Sequence, residues 1–309
     1  MRAMTGPAHS LPHVFDRALL RRRLGRAADL GPADFLLARA VDDLVDRVAA
    51  VKRRFERVLD LGTPTEAAAF ALRALYAGPD GAAIGTVLRA APIARGLSGA
   101  IPTIVADEEM LPVADGTLDL VVSALALQSV NDLPGAFAQI RRALKPDGLF
   151  LAAMVGGSSL TELREAFAIA ETETIGGVSP RVAPFVDVRD LGGLLQRAGF
   201  ALPVTDVDRV TVRYSSPFAL FSDLRLMGAA NSLSERRRVP LRRATLLKAA
   251  EIYAARFADP DGRVRATFEI VWLSGWVPHE SQQKPLRPGS AKMRLADALG
   301  AVEQKPQEP

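Results

Sequence analysis

The residues best placed for chemistry in this sequence are carboxylates, glycines and small polar groups at the ends of apolar runs. Val58-Leu59-Asp60-Leu61-Gly62 closes one such run. Asp107-Glu108-Glu109 follows a second, and Leu118-Asp119-Leu120-Val121-Val122-Ser123 forms a third, with Gln128 shortly after it. In a doubly wound sheet, ligands bind at the carboxyl ends of the strands beside the point where strand order reverses. These positions, with the segment after Leu88, are therefore where a bound group would sit. Other chemistries are scarce. The chain has no cysteine, which removes disulfides, thiolate zinc sites, iron–sulfur ligation and a cysteine nucleophile together. Its 3 histidines are His9, His13 and His279, so a three-histidine metal centre would need all of them, and no metal is expected.

The elements that must position those residues follow from periodicity. Helical spacing covers Val14 to Ala28, Phe35 to Val51, Thr65 to Tyr76, Leu133 to Leu144, Leu160 to Glu173, Val188 to Ala198, Pro217 to Met227 and Arg243 to Phe257. Strands are predicted at Phe55 to Leu61, Ala83 to Leu88, Thr103 to Ala106, Leu118 to Ala124, Leu149 to Met154, Val204 to Tyr214 and Arg263 to Trp276, the last two as a hairpin. Pro146-Asp147-Gly148 reads as the turn that stops the fourth of those helices. Strands alternating with helices predict an α/β protein built on a doubly wound parallel sheet. The predicted organisation is an N-terminal helical extension over 1–53, a main domain over 54–278 with a helical insertion around 216–258, and a mostly disordered polar tail over 279–309.

At 309 residues, 49% hydrophobic and 24% charged, the chain has material for a large core and is not broadly disordered. No apolar run reaches the roughly 18 residues of a membrane span. The formal charge is +4, concentrated in Arg21-Arg22-Arg23, Lys52-Arg53-Arg54, Arg236-Arg237-Arg238 and Arg242-Arg243. Such runs suit a solvated face, an acidic protein surface or peripheral contact with anionic lipid. With 6% aromatics, few of them near those runs, nucleic-acid stacking is poorly supported. No apolar stretch of signal-peptide length precedes the early arginines, and a cytoplasmic location is expected.

Val58 to Gly62, Ala106-Asp107-Glu108-Glu109-Met110-Leu111-Pro112 and Leu118 to Ser123 resemble successive motifs of class I S-adenosylmethionine (SAM) methyltransferases. Val130-Asn131-Asp132-Leu133-Pro134 and Leu144-Lys145-Pro146-Asp147-Gly148 continue the series in the same order. Glu171-Thr172-Glu173, Gly176-Gly177-Val178-Ser179-Pro180, Asp190-Leu191-Gly192, Arg197-Ala198-Gly199-Phe200 and Trp276 to Gln282 narrow the match. So does the basic opening from Phe15 to Ala28. Together they resemble the methyltransferase-like assembly factor of respiratory complex I, of the alphaproteobacterial type, over nearly the whole chain. The resemblance implies a seven-stranded Rossmann-like methyltransferase fold, SAM as cofactor and a protein partner, a complex I subunit modified at an arginine. It assigns cofactor contacts to Asp60, Gly62, Asp107, Glu108, Ser123 and Gln128, with the target entering over the loop from Gln128 to Asn131. The catalytic residue stays unassigned.

Three departures from the family pattern bear on the cofactor. Where a second glycine is usual, the chain runs Gly62-Thr63-Pro64-Thr65-Glu66, which reads as a capping box with Thr63 at the cap and Pro64 in the first helical position. The second strand ends near Arg89-Ala90-Ala91, without the carboxylate that holds ribose hydroxyls. Gln128-Ser129 stands where the family has His-Trp. An assembly chaperone that kept the fold and lost SAM binding is the alternative reading.

Overall fold

The structure, a computed structural model, describes residues 13–75 and 83–282. Residues Met1 to Pro278 form one compact unit, and His279 to Pro309 a second, of which 279–282 are described. The predicted tail beyond Gln282, and Tyr76 at the end of a predicted helix, lie outside the described residues.

Two helices, α1 (Arg17–Leu30) and α2 (Phe35–Ala49), precede the first strand, β1 (Arg54–Leu61). There follow α3 (Ala67–Leu75), β2 (Ala83–Ala91), β3 (Thr103–Val105), β4 (Leu118–Ala124), α4 (Leu133–Ala143), β5 (Leu144–Val155), α5 (Thr161–Ile175), α6 (Val188–Arg197), β6 (Ala201–Tyr214), α7 (Pro217–Leu226), α8 (Arg243–Phe257) and β7 (Val264–Trp276). The strands form a 7-stranded sheet in the order β3-β2-β1-β4-β5-β7-β6. The first five are parallel, and β7 runs antiparallel to both β5 and β6.

The sheet buries both faces, as a parallel sheet requires. On one face Leu44, Val58, Leu72, Ile84, Phe268 and Trp272 pack beneath α2, α3, α5, α7 and α8. On the other, Leu59, Phe137, Ile140, Phe150 and Leu195 pack beneath α4 and α6. Phe137 meets Phe150 edge-on at 5.6 Å between ring centres. Trp272 is 1% exposed and belongs to the core, with the Arg47 guanidinium 4.3 Å above its ring.

Several local expectations need correction. Helix α1 starts at Arg17, because the Asp16 side chain accepts the Leu19 amide at 2.9 Å and caps it, while Phe15 pairs with Leu233 in an isolated β-bridge. Pro146-Asp147-Gly148 is no turn between elements. It is a bulge inside β5, where register passes from Leu118 opposite Leu144 to Leu120 opposite Leu149. The bulge is secured by two backbone hydrogen bonds to β7's end, Asp147 N–H to the Val277 carbonyl at 3.1 Å and Val277 N–H to that of Gly148 at 2.9 Å. Strands β6 and β7 pair over Tyr214 opposite Val264 to Ala201 opposite Trp276, but α7 and α8 lie between them in the chain, so no tight hairpin forms.

Candidate functional site

The carboxyl ends of β1, β2 and β4 meet where strand order reverses, and Asp60 lies at that point. It is opposite Arg89 of β2 and Val122 of β4 and is fully buried. Its side chain is consumed by its neighbours. The Thr63 hydroxyl donates to Asp60 Oδ1, and the same hydroxyl oxygen accepts the Ala124 amide at 3.1 Å. Arg89, 2% exposed, donates from Nη2 to the Thr63 carbonyl at 2.5 Å, and its Nε lies 3.5 Å from Asp60 Oδ2. That last contact is an ion pair without hydrogen-bond geometry, since neither Asp60 Oδ2 nor Arg89 Nε has a hydrogen-bond partner. Burial raises the Asp60 carboxyl to about 6 despite the Thr63 bond and the Arg89 charge, which both pull it down.

The predicted capping box does not form. Thr63 turns back to the sheet, its hydroxyl donating to the Asp60 carboxylate and its oxygen accepting the Ala124 amide rather than a helix amide. Helix α3 begins only at Ala67, and the Glu66 carboxylate accepts the Ser98 amide at 2.9 Å, thirty-two residues away. Gly62 has φ +74°, and its amide donates to the Ala90 carbonyl at 2.8 Å. A methyl group placed on it would lie 2.6 Å from Glu108 Oε1. The Glu108 side chain therefore covers the space above Gly62.

Asp107-Glu108-Glu109 follows β3 and meets α1. Arg17 Nη2 bonds Asp107 Oδ1 at 2.7 Å and Glu108 Oε2, while its Nη1 donates to the Ser129 carbonyl at 3.1 Å. Arg21, one turn on, pairs with Asp107 as well. Partial burial works to raise the Asp107 carboxyl, but the Glu109 amide with Arg17 and Arg21 outweighs it and holds the group below the usual carboxylate range. Ser123 is fully buried and its hydroxyl has no hydrogen-bond partner. Gln128 donates from Nε2 to the Leu125 carbonyl at 2.7 Å, its Oε1 being buried without one.

A cavity of about 770 Å³ opens over these strand ends. Gly62, Glu108 and Gln128 line it, as the sequence positions suggest; Asp60, Asp107 and Ser123 do not. Sequence reasoning missed Arg17, which lines it too, and Arg89, which fills the end of β2. The spacing of Arg17 and Arg21 puts both on one helix face, a signal that was available. The loop from Gln128 to Asn131 is covered: the Asn131 side chain accepts the Phe15 amide at 2.7 Å and donates to the Phe15 carbonyl at 3.2 Å. Arg236, a candidate docking residue, is instead paired with Asp16 at 3.1 Å. Among the described residues no cluster of His, Asp and Glu could hold a metal, and no helix is long and apolar enough to cross a membrane.

Sheet order, the reversed seventh strand and a glycine turn after β1 define a class I methyltransferase fold. The chain belongs to the methyltransferase-domain family, whose profile matches residues 35–203, and more narrowly to the family of the arginine hydroxylases it matches along most of its length. It is 39% identical to "Arginine-hydroxylase NDUFAF5, mitochondrial" of Danio rerio over 92% of this chain and 89% of that one. The human protein of the same name is 40% identical over 94% and 84% respectively. A malonyl-[acyl-carrier protein] O-methyltransferase of Laribacter hongkongensis is 34% identical over 89% of this chain and 94% of its own. The YcgJ protein of Bacillus subtilis shares the fold, with a TM-score of 0.52 at 12% identity over 78% of this chain and 99% of that one.

Proposed function

We infer that this protein is an assembly factor of respiratory complex I that acts on an arginine of a complex I subunit. The observation that carries the reading is similarity to proteins named arginine hydroxylases that extends beyond the methyltransferase domain, through α7, α8 and β7. Those elements help to build the cavity: Phe218, Leu224, Leu246 and Phe268 line it together with Arg17 and Gly62. Its site of action is the cytoplasm, and its partner is protein rather than nucleic acid. The experiment is deletion of the gene in its host. Assembled complex I and NADH:quinone activity are expected to fall while unrelated respiratory complexes stay at their normal level. Unchanged NADH:quinone activity would remove the proposal.

The fold implies SAM, and the residues at the strand ends fit it poorly. Asp60 is spent on Thr63 and Arg89, Glu108 covers Gly62, and β2 ends in Arg89 where a ribose-binding carboxylate is usual. No chemical step is therefore drawn through the cofactor. The network around Asp60 favours a second reading, an assembly factor that acts by binding alone. Isothermal titration separates the two. SAM is expected to bind more weakly than a Kd of ~10 μM, equivalent to about −7 kcal/mol. Tighter binding means that Glu108 moves aside and the cofactor position is live.

A further inference from the structure

Arg17 is buried more deeply than a solvated arginine has reason to be. Its side chain is 12% exposed, and its guanidinium meets Asp107 and Glu108 through Nη2 and the Ser129 carbonyl through Nη1, with Glu109 Oε1 4.0 Å from Nε. A planar fork of donors facing two carboxylates and a carbonyl is how proteins recognise a guanidinium specifically. The residue that fills this seat enters on a short strap. Phe15 is held by the Asn131 side chain, Asp16 by the Ser232 carbonyl at 2.8 Å and by Arg236, and no strand of the sheet depends on either.

Beside the seat lies the cavity. Most of its wall is apolar, including Phe167, Phe218, Phe221, Leu224, Met227 and Leu246, with Asp34, Arg181, Arg225 and Asn231 as further polar members. Protein interiors are close-packed, and a space of about 770 Å³ has the size of a ligand pocket rather than of a packing defect. At Glu108 the cavity borders the acidic stretch that already holds one guanidinium, and its apolar wall suits hydrocarbon side chains.

We propose that Asp107, Glu108 and the Ser129 carbonyl form a guanidinium seat that Arg17 occupies in the resting chain, and that an arginine of the partner displaces it while apolar residues flanking that arginine enter the cavity. The recognised segment is thus a single arginine between apolar neighbours, and Arg17 is its competitor within the same chain. This rests on the arginine-directed reading above and adds to it the position of the arginine, the character of its neighbours and a built-in brake.

The test is fluorescence anisotropy with the full chain and labelled peptides of about a dozen residues, carrying one arginine between leucine and phenylalanine. Arg17→Ala is expected to bind this peptide at least ~10-fold more tightly than the wild type. Citrulline in place of the peptide's arginine, or serine in place of its apolar flanks, is expected to abolish that gain, and Glu108→Gln to weaken binding in either background. Equal affinity of wild type and Arg17→Ala, or citrulline binding as well as arginine, overturns the seat. Should Arg17→Ala fail to fold, Arg17→Lys decides by the same comparison. It keeps a cation in the seat but loses the fork, so the peptide should displace it more readily than it displaces Arg17. A failed peptide comparison beside a deletion strain that does lack complex I removes the seat alone. Normal complex I in the deletion strain removes the assembly reading and leaves the peptide result standing on its own.

Discussion

Arg89→Ala is expected to cost about 3–5 kcal/mol of stability at pH 7.5, the usual penalty for stranding one partner of a buried ion pair. Among the described residues Arg89 is the only cation within ion-pair distance of Asp60, and it also donates to the Thr63 carbonyl. Its removal leaves a buried carboxylate and an unpaired carbonyl in the centre of the sheet, each costly in a low-dielectric setting. Asp60 can relieve part of this by taking up a proton. The loss should therefore shrink at pH 5, where uptake is nearly free. Urea unfolding of both proteins at the two pH values measures it. A loss below about 1 kcal/mol at pH 7.5, or one independent of pH, would mean that Arg89 contributes nothing to holding Asp60.

Asp60 itself should make the stability of the wild type fall as pH rises between about 4 and 6. Its carboxyl titrates near 3.8 in the unfolded chain and at about 6 in the fold. Across that window the unfolded chain gives up its proton first, so the native state holds more protons and loses stability as they are withdrawn. The contribution is present in full below the unfolded value and gone above the folded one. The displacement corresponds to ~3 kcal/mol. Other carboxylates titrate in the same range, so the quantity to follow is the stability of wild type minus that of Asp60→Asn, which removes their common background. That difference is expected to drop by about 2 kcal/mol from pH 4 to pH 7. A difference that climbs with pH would show that Asp60 is an anion stabilised by Arg89, and that desolvation is not the dominant influence on it.

The sheet was legible because its strands are apolar runs of the right length. Phe55 to Leu61 and Leu118 to Ala124 hardly differ between pattern and structure. The alternation of β6, with every second residue more exposed, identified a strand lying on the rim of the sheet. Local grammar misled where a more distant partner was stronger. Thr63, Pro64 and Glu66 satisfy every rule for a helix start, yet Asp60 takes the threonine hydroxyl and Ser98 takes the glutamate. Pro146-Asp147-Gly148 has turn composition, but its backbone is paired with the end of β7, which no window of neighbouring residues contains. Arg89 was read from a missing carboxylate rather than from what the arginine does. A cation inside an apolar strand announces a buried partner, and the partner was already named in Asp60. Arg21-Arg22-Arg23 of α1 looked like a solvated face because charge runs usually are, yet its first member joins Arg17 in pairing with Asp107, in the acidic stretch that follows β3.

The strap over the cavity also has a bearing on when this protein becomes complete. Asp16 and Arg236 are 220 residues apart in the chain, Phe15 reaches Leu233 across a similar gap, and its contact with Asn131 spans 116. A ribosome releases the first of these residues long before the last, so α1 emerges with nothing to close upon. Contacts of such sequence separation form late in folding. The acidic edge after β3 is thus synthesised well before the strap's anchors and before α8 and β7, which finish the chamber. A nascent chain stalled before the 231–236 loop would carry that edge with neither the strap fastened nor the chamber built.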